Sequence, residues 1–417
     1  IMKNPLLLSI IAIILSMTIL SCEKDDNLTP DPKPDTITTP AELTAALADI
    51  YDGSDAPGFA VSVIKNDALL YQQSFGKADI VGNKVYTNQT TQPIGSISKT
   101  FVAAAIVKAI EQGHFTLETD INDILPVEVK NPKLPNTVIK VKHLVTHTSG
   151  LLDNDEAYFQ AYHILPGEDL STEGSQLLTN GFGVLQRETI PLEEFLAEYY
   201  LDDGNLYRMD NFASTAPGST WNYSNIATSL AAYLVEAATG TPFKAYVTTN
   251  ILQPLGMTKT AYDLAELNPA NAPKLYWDNS TPLPNYANDS YPDGSINTCN
   301  EDLAKYLLDM MKGAKGQSTT LFSKQGYEML FGALLPDGKV PASLAKNQGV
   351  FWFLDDDLIR HDGSDPGTTC NLLFDKTSDS GYLLMTNMDA STDEHGDAYF
   401  QLAGKINNAI AEFILNN

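Results

Sequence analysis

Strand-forming runs lie near the two ends of this 417-residue chain, and the long stretch between them reads as helix and loop. Phe59-Ala60-Val61-Ser62-Val63-Ile64 and Ala68 to Phe75 are rich in β-branched and apolar residues, and Lys65-Asn66-Asp67 joins them as a hairpin turn. Gly349 to Leu354, Thr369 to Phe374 and Tyr382 to Asn387 repeat the pattern far downstream. Buried strands must pair their backbone groups, so the two sets predict one antiparallel sheet assembled from both ends. The middle then forms an inserted, mostly helical lobe. The expected class is α+β, with a sheet lobe over about 41–115 and 345–417 and a helical lobe over about 116–344.

Helical patterns fill the remainder. Ala41 to Tyr51 precedes the first strand, and Phe101 to Glu111 is Ala-rich and apolar all round, a buried helix stopping at Gly113. Ile226 to Ala238 ends at Gly240, Asp302 to Met311 is amphipathic and ends near Gly313, and about 398–415 closes the chain. There is no internal repeat.

Residues 1–21 are set apart from the fold. Lys3 precedes an apolar run from Pro5 to Leu20, the pattern of a secretory signal. Ile19-Leu20-Ser21-Cys22 resembles a bacterial lipobox, which implies lipidation of Cys22 and an exported protein anchored in the cell envelope, at its periplasmic face or cell surface. Simple cleavage and an uncleaved anchor are the alternatives. Residues 22–40 are acidic and carry Pro30, Pro32, Pro34 and Pro40, a composition expected of a solvated tether.

Charge narrows the partners. Asp and Glu number 52 against 26 Lys and Arg, a formal charge of −26, so a phosphate backbone would be repelled and nucleic acid is excluded. Membrane contact is expected only through the N-terminal lipid. Hydrophobic residues make up 43%, enough apolar surface to offset the ordering entropy of a folded domain. Cys299 and Cys370 could pair in an oxidising compartment, a link worth about 4 kcal/mol, or remain separate buried thiols.

Three short motifs carry chemistry. Gly95-Ser96-Ile97-Ser98-Lys99 opens the buried helix, where positions three apart share a face and Lys99 can reach Ser96. A serine hydroxyl becomes a nucleophile when a base takes its proton, and a desolvated lysine amine can be that base. Ser62-Val63-Ile64-Lys65 has the same spacing, but strand alternation sends its ends to opposite faces. Tyr223-Ser224-Asn225 precedes the next buried helix; a phenol beside Lys99 can relay a proton, and an amide can hold a carbonyl. Tyr286-Ala287-Asn288 copies that pattern in a loop without support. His361-Asp362-Gly363-Ser364 lies among strand segments, where Gly363 admits substrate and His361 can donate a hydrogen bond or partial charge. Lys324-Gln325-Gly326 is a K-x-G match in a helical pattern.

The order S-x-x-K, Y-x-N, H-x-G resembles the serine β-lactamase and penicillin-binding protein superfamily, nearest its class C, D,D-peptidase and esterase branch. The stretches IGSISKTFVAAAI (94–106), LVTHTSGL (144–151), APGSTWNYSN (216–225), ILQPLGMTKT (251–260), DGSINTCNEDLAKYL (293–307) and HDGSDPG (361–367) carry the likeness across about 41–415. The resemblance implies Ser96 as acylated nucleophile, Lys99 as its base and Tyr223 as proton relay to the leaving group. Asn225 would orient the substrate carbonyl, His361 and Gly363 would form a third wall, and the backbone N–H groups of Ser96 and Ser364 would make the oxyanion hole. No cofactor or metal is implied.

Substrate is read from departures. Where the family's β-lactamases carry Lys-Thr-Gly to hold a carboxylate, this chain has His361-Asp362-Gly363, a weaker positive field with an acid that would repel an anion if it faced the site. That ranks ester, amide or D-amino-acid peptide hydrolysis above β-lactam hydrolysis; a binding or sensing protein with slow turnover is the alternative. Tyr158, Tyr162, Phe182, Tyr199-Tyr200 and Tyr276-Trp277 could wall the pocket or serve local packing. His143 and His147 are spaced for one helix face, but no Glu follows as a metalloprotease helix requires. G-x-S-x-G is missing, which excludes an α/β-hydrolase elbow.

Overall fold

The computed structural model describes residues 36–417. The signal-like segment 1–21, Cys22 and the acidic stretch to residue 35 lie outside the described residues. The end of the expected tether is docked rather than solvated. Ile37 is buried with its N–H donating to Glu412 Oε1 at 3.2 Å, and Thr39 and Glu42 close a capping box on the first helix.

Eight strands form the main sheet, every neighbouring pair antiparallel. Strands β1 (Gly58–Lys65), β2 (Ala68–Asp79) and β3 (Lys84–Val85) come from one end of the chain. Strands β4 (Asn347–Gln348), β5 (Phe353–Asp355), β6 (Leu358–Asp365), β7 (Thr368–Asp375) and β8 (Ser380–Thr386) come from the other. Their order is β3-β2-β1-β8-β7-β6-β5-β4, so the two ends join where β1 meets β8, with Val61 opposite Leu384. Asn66 and Asp67, both at positive φ, turn the β1–β2 hairpin as the sequence predicts.

Six helices position the site: α1 (Pro40–Asp52), α2 (Ser98–Glu111), α3 (Asn225–Thr239), α4 (Asn300–Ala314), α5 (Lys324–Phe331) and α6 (Asp393–Leu415). Alternation along β1 splits the core. Phe59, Val61 and Val63 pack under α1 and α6 with Leu43, Leu47, Ile406 and Phe413, whereas Ile64 joins the larger core of α2, α3 and α4 on the opposite face. Nearly every side chain of α2 is buried, which explains its lack of a polar stripe. No helix among the described residues is long and apolar enough to cross a membrane.

Two expectations change, the run at 349–354 and the start of the last helix. The run Gly349 to Leu354 is broken by Phe351 at φ +59°, leaving a strand only at 353–355. Helix α4 ends at Ala314, beside Gly313 as the sequence reading has it, and a Cβ at Gly313 would overlap the Tyr327 ring, so the glycine also permits a close approach. This helix, from the stretch expected to form the second lobe, packs on β1 and β8. Helix α6 begins at Asp393, capped by Thr392, earlier than residue 398. Cys299 and Cys370 are both buried and free, so no disulfide links them.

Candidate active site

Ser96 lies in a single 3-10 turn, Gly95–Ile97, that feeds directly into α2. In such a turn positions three apart eclipse, which brings the fully buried Lys99 Nζ to 3.0 Å from Ser96 Oγ. Two further hydrogen bonds run from Lys99 to Asn225 Oδ1 at 2.7 Å and to the Asp293 carbonyl oxygen at 2.8 Å. Both can only accept, so they orient two of the amine's N–H bonds and leave the third position of the nitrogen facing Ser96. The Lys99 nitrogen also lies 5.0 Å from the centre of the Tyr223 ring, and the phenol interacts with both Ser96 and Lys99. Burial pushes the phenol above its ordinary range and Lys99 opposes that shift, so Tyr223 holds its proton at neutral pH.

Asn225 is placed by the start of α3. Ser224 is its N-cap, accepting from Ala227 N, and the half-buried Asp153 accepts from Ser224 Oγ at 2.8 Å, Asn225 N at 2.7 Å and Ile226 N at 3.1 Å. His147, from the LVTHTSGL stretch, accepts from Ser224 N at 3.2 Å and stacks 4.5 Å from the Tyr223 ring. It sits beyond the end of its short helix at φ +55°, while His143 Nδ1 caps Lys140 N, so the two imidazoles do not converge on a metal.

Strand β6 supplies the third wall. A Cβ on Gly363 would overlap the Ile94 carbonyl and come within 2.9 Å of Ser96 N and Ile97 N. One on Gly95, at φ +53°, would come within 2.5 Å of Ser364 N. The two glycines thus let the nucleophile turn and β6 touch, bringing the Ser96 and Ser364 amides to one place. His361 departs from expectation. Burial, with the nearby Lys99, pushes its imidazole down to about 3, so it is neutral. Its Nδ1 donates to the Asp362 carbonyl at 2.7 Å, which leaves Nε2 an unpartnered acceptor rather than a donor. Asp362 does not face the site, because strand alternation turns it outward to Arg360 at 2.6 Å and Asn371 at 2.7 Å.

The two spurious motifs separate as their contexts predict. Ser62 Oγ bonds Asn300 Oδ1 at 2.6 Å and Lys65 Nζ bonds the Ile414 carbonyl at 2.6 Å on the opposite face. Lys324 and Gly326 open α5, where Ser323 caps Gly326 N. Tyr286 does better than expected: Tyr286–Asn288 forms a short strand paired with Tyr162–Ile164, and Tyr286 lines the cleft.

A profile of the Beta-lactamase family matches residues 43–404. The chain belongs to the beta-lactamase family. Esterase EstB of Burkholderia gladioli is 30% identical over 234 residues, covering 54% of this chain and 53% of the esterase. Protein flp of Staphylococcus aureus strain MRSA252 is 23% identical over 341 residues, covering 80% of this chain and 60% of its own length. The chain therefore spans just over half of the curated relatives it matches. An octameric penicillin-binding protein homologue from Pyrococcus abyssi superposes with a TM-score of 0.66 at 21% identity, over 88% of this chain and 77% of that one, a likeness of fold.

Within this beta-lactamase-family site, several contributors escape motif reading. Asp293 acts through its backbone carbonyl on Lys99, while its carboxyl, raised by burial to about 6, accepts from Tyr158, Ser290 and Ser229. Asp153 and His147 act through Ser224 and Tyr223; His147 falls in the LVTHTSGL stretch, whereas no local pattern marks Asp153. Tyr158, Tyr162, Phe182 and Trp277 line the cleft, as the aromatic-wall expectation requires. Tyr199 and Tyr200 belong to the core instead, and Tyr276 is buried with its hydroxyl accepting from Ile80 N. Asp365, seven-hundredths exposed, lines the cleft beside Tyr162.

Proposed function

We propose that this hydrolase-family chain is a serine hydrolase working through an acyl-enzyme on Ser96. The observation that carries the reading is the 3.0 Å contact of Lys99 Nζ with Ser96 Oγ, oriented by two acceptors. The Ser96 proton passes to Lys99 as Oγ bonds the substrate carbonyl carbon, and the Ser96 and Ser364 amides receive the oxyanion. Asn225 holds a substrate amide or ester. Tyr223 gives its proton to the leaving group as that group's bond to carbon breaks and takes up in exchange the proton Lys99 received; water then attacks the acyl carbon, giving one proton back to Ser96 Oγ as the Oγ–carbon bond breaks and the acid leaves.

The substrate is an ester, an amide or a D-amino-acid peptide. A neutral His361 gives a carboxylate nothing to bind, which disfavours penicillin-like donors. Incubation with a 4-nitrophenyl ester and a fluorescent penicillin, read by intact-mass spectrometry, tests this. An adduct on Ser96 that forms and clears supports a hydrolase; labelling unchanged in Ser96→Ala overturns it, and an adduct that never clears favours a sensor. Lys3, the apolar run and Cys22 support export with a lipid on Cys22, for which a membrane-fraction protein lacking any lipidated Cys22 peptide is the contrary result.

A further inference from the structure

His361, Gly363 and Asp365 share the inward face of β6. At about 3.3 Å per residue, Asp365 stands roughly 7 Å beyond Gly363, on the side away from His361. One of its oxygens, Oδ1, accepts from Tyr162 OH at 2.6 Å; among the described residues none donates to Oδ2. Gly294 keeps the space beside Oδ2 open, since a Cβ there would stand only 3.2 Å from that oxygen.

The other acids near the nucleophile are satisfied. Asp153 and Asp293 each accept three hydrogen bonds. Arg360 is engaged with Asp362 and Asp355 on the outer face, and Arg187 with Asp289. Lys99 is committed to Ser96, Asn225 and the Asp293 carbonyl, so its hydrogen bonds are not available to Asp365. His361 independently points the same way, since its buried Nε2 lines the cleft as a lone pair without a donor. Tyr158, Tyr162 and Tyr286 stand around the Asp365 end, with ring centres 5.7 Å and 6.1 Å apart in succession. Aromatic faces beside a carboxylate favour organic cations.

We propose that this cleft selects substrates bearing an alkylammonium group, held at Asp365 Oδ2 with Tyr158, Tyr162 and Tyr286 around it. The proposal rests on the serine hydrolase reading above. It names a substrate class by charge: aminoacyl or quaternary-ammonium esters and amides rather than carboxylates.

Three 4-nitrophenyl esters of matched length test it, with acyl chains ending in trimethylammonium, its neutral tert-butyl isostere, or carboxylate. The readout is kcat/KM for the cationic ester over its neutral isostere, each corrected for spontaneous hydrolysis. In the wild type the ratio is expected at about tenfold or more, with the carboxylate slowest. In Asp365→Asn it should fall to within about threefold of one, because the charge is lost and the shape kept. A wild-type ratio near one, or a ratio unchanged in Asp365→Asn, overturns the proposal while leaving the hydrolase reading intact. No turnover and no Ser96 adduct with any ester overturns both.

If Asp365→Asn fails to fold, the pH dependence of the wild-type ratio decides. Burial, Asp293 and Asp389 raise the Asp365 carboxyl, Tyr162 and Lys99 lower it, and the balance leaves it at about 7. The ratio should therefore climb across neutral pH, and a flat ratio is the contrary result.

Discussion

Lys99 and Ser96 meet at 3.0 Å with the lysine's remaining hydrogen bonds given to Asn225 Oδ1 and Asp293 O. The geometry assigns the nitrogen a direction as well as a place. A proton leaving Ser96 has a nitrogen before it whose other bonds are held.

Lys99→Met should lower the rate of Ser96 acylation by a 4-nitrophenyl ester by about a thousandfold. It also strands the buried Asp293 carbonyl and the half-buried Asn225 Oδ1, costing about 1–3 kcal/mol in urea unfolding. Lys99→Arg should not rescue the rate, because a guanidinium offers no lone pair. Stopped-flow burst kinetics on both variants provide the check, and a loss smaller than tenfold would contradict the assignment.

Gly363→Ala should abolish acylation and destabilise the fold by about 2–4 kcal/mol, since its Cβ would drive into the Ile94 carbonyl and push the Ser96 amide away. Gly404→Ala is the control. That helix position has nothing within 4 Å of a new Cβ, so alanine there should be neutral or stabilising by about 0.5–1 kcal/mol. Denaturant midpoints for the pair separate a close-approach requirement from general intolerance of substitution.

His361 should leave no inflection of its own in kcat/KM between pH 5 and 8, because its imidazole loses the proton at about 3. In the unfolded chain it binds a proton below the ordinary histidine value of about 6.5, so the folded state loses stability as pH falls from there toward 3. Up to about 4 kcal/mol is at stake. His361→Gln should therefore gain on the wild type between pH 7 and 4; unfolding curves showing a constant difference would refute this.

Asp365 has the opposite sign. Its folded carboxyl keeps its proton to about 7, whereas the unfolded one loses it near 4, so stability falls as pH rises across that window and is level beyond it. Asp365→Asn should be the more stable protein at pH 8 by about 4 kcal/mol at most, with the gap closing by pH 4. Equal urea midpoints at pH 8 would show that the carboxylate is stabilised by something other than a ligand.

The nucleophile, its lysine and the Tyr223–Asn225 pair are legible because each motif keeps its chemistry within a few residues, where helical spacing or an N-cap decides who meets whom. Asp293 was not legible: its contribution is a carbonyl oxygen, which every residue possesses. The direction of Asp362 and the charge of His361 depend on which face of β6 is buried, a matter of register that His-Asp-Gly does not encode. Gly313 marks the helix end as read, but its second role, admitting the Tyr327 ring, is not visible in sequence. The tyrosine wall waited on a three-residue strand at 286–288, too short to announce itself. The sheet, in contrast, was visible from both ends because β1 and the last strand each carry a long run of mostly apolar residues.

A sheet closed between β1 and β8 also sets an order of events. Gln92, just before the nucleophile turn, anchors its amide on Thr368, 276 positions downstream. Pairings of such range must meet a large loop-closure entropy before they return any contact energy, which slows folding. No fragment that stops short of β6 can bring the Ser364 backbone against the Ser96 turn. On the proposed mechanism, chemistry is therefore withheld from the nascent chain until β6, near the end of the sheet, has been laid down.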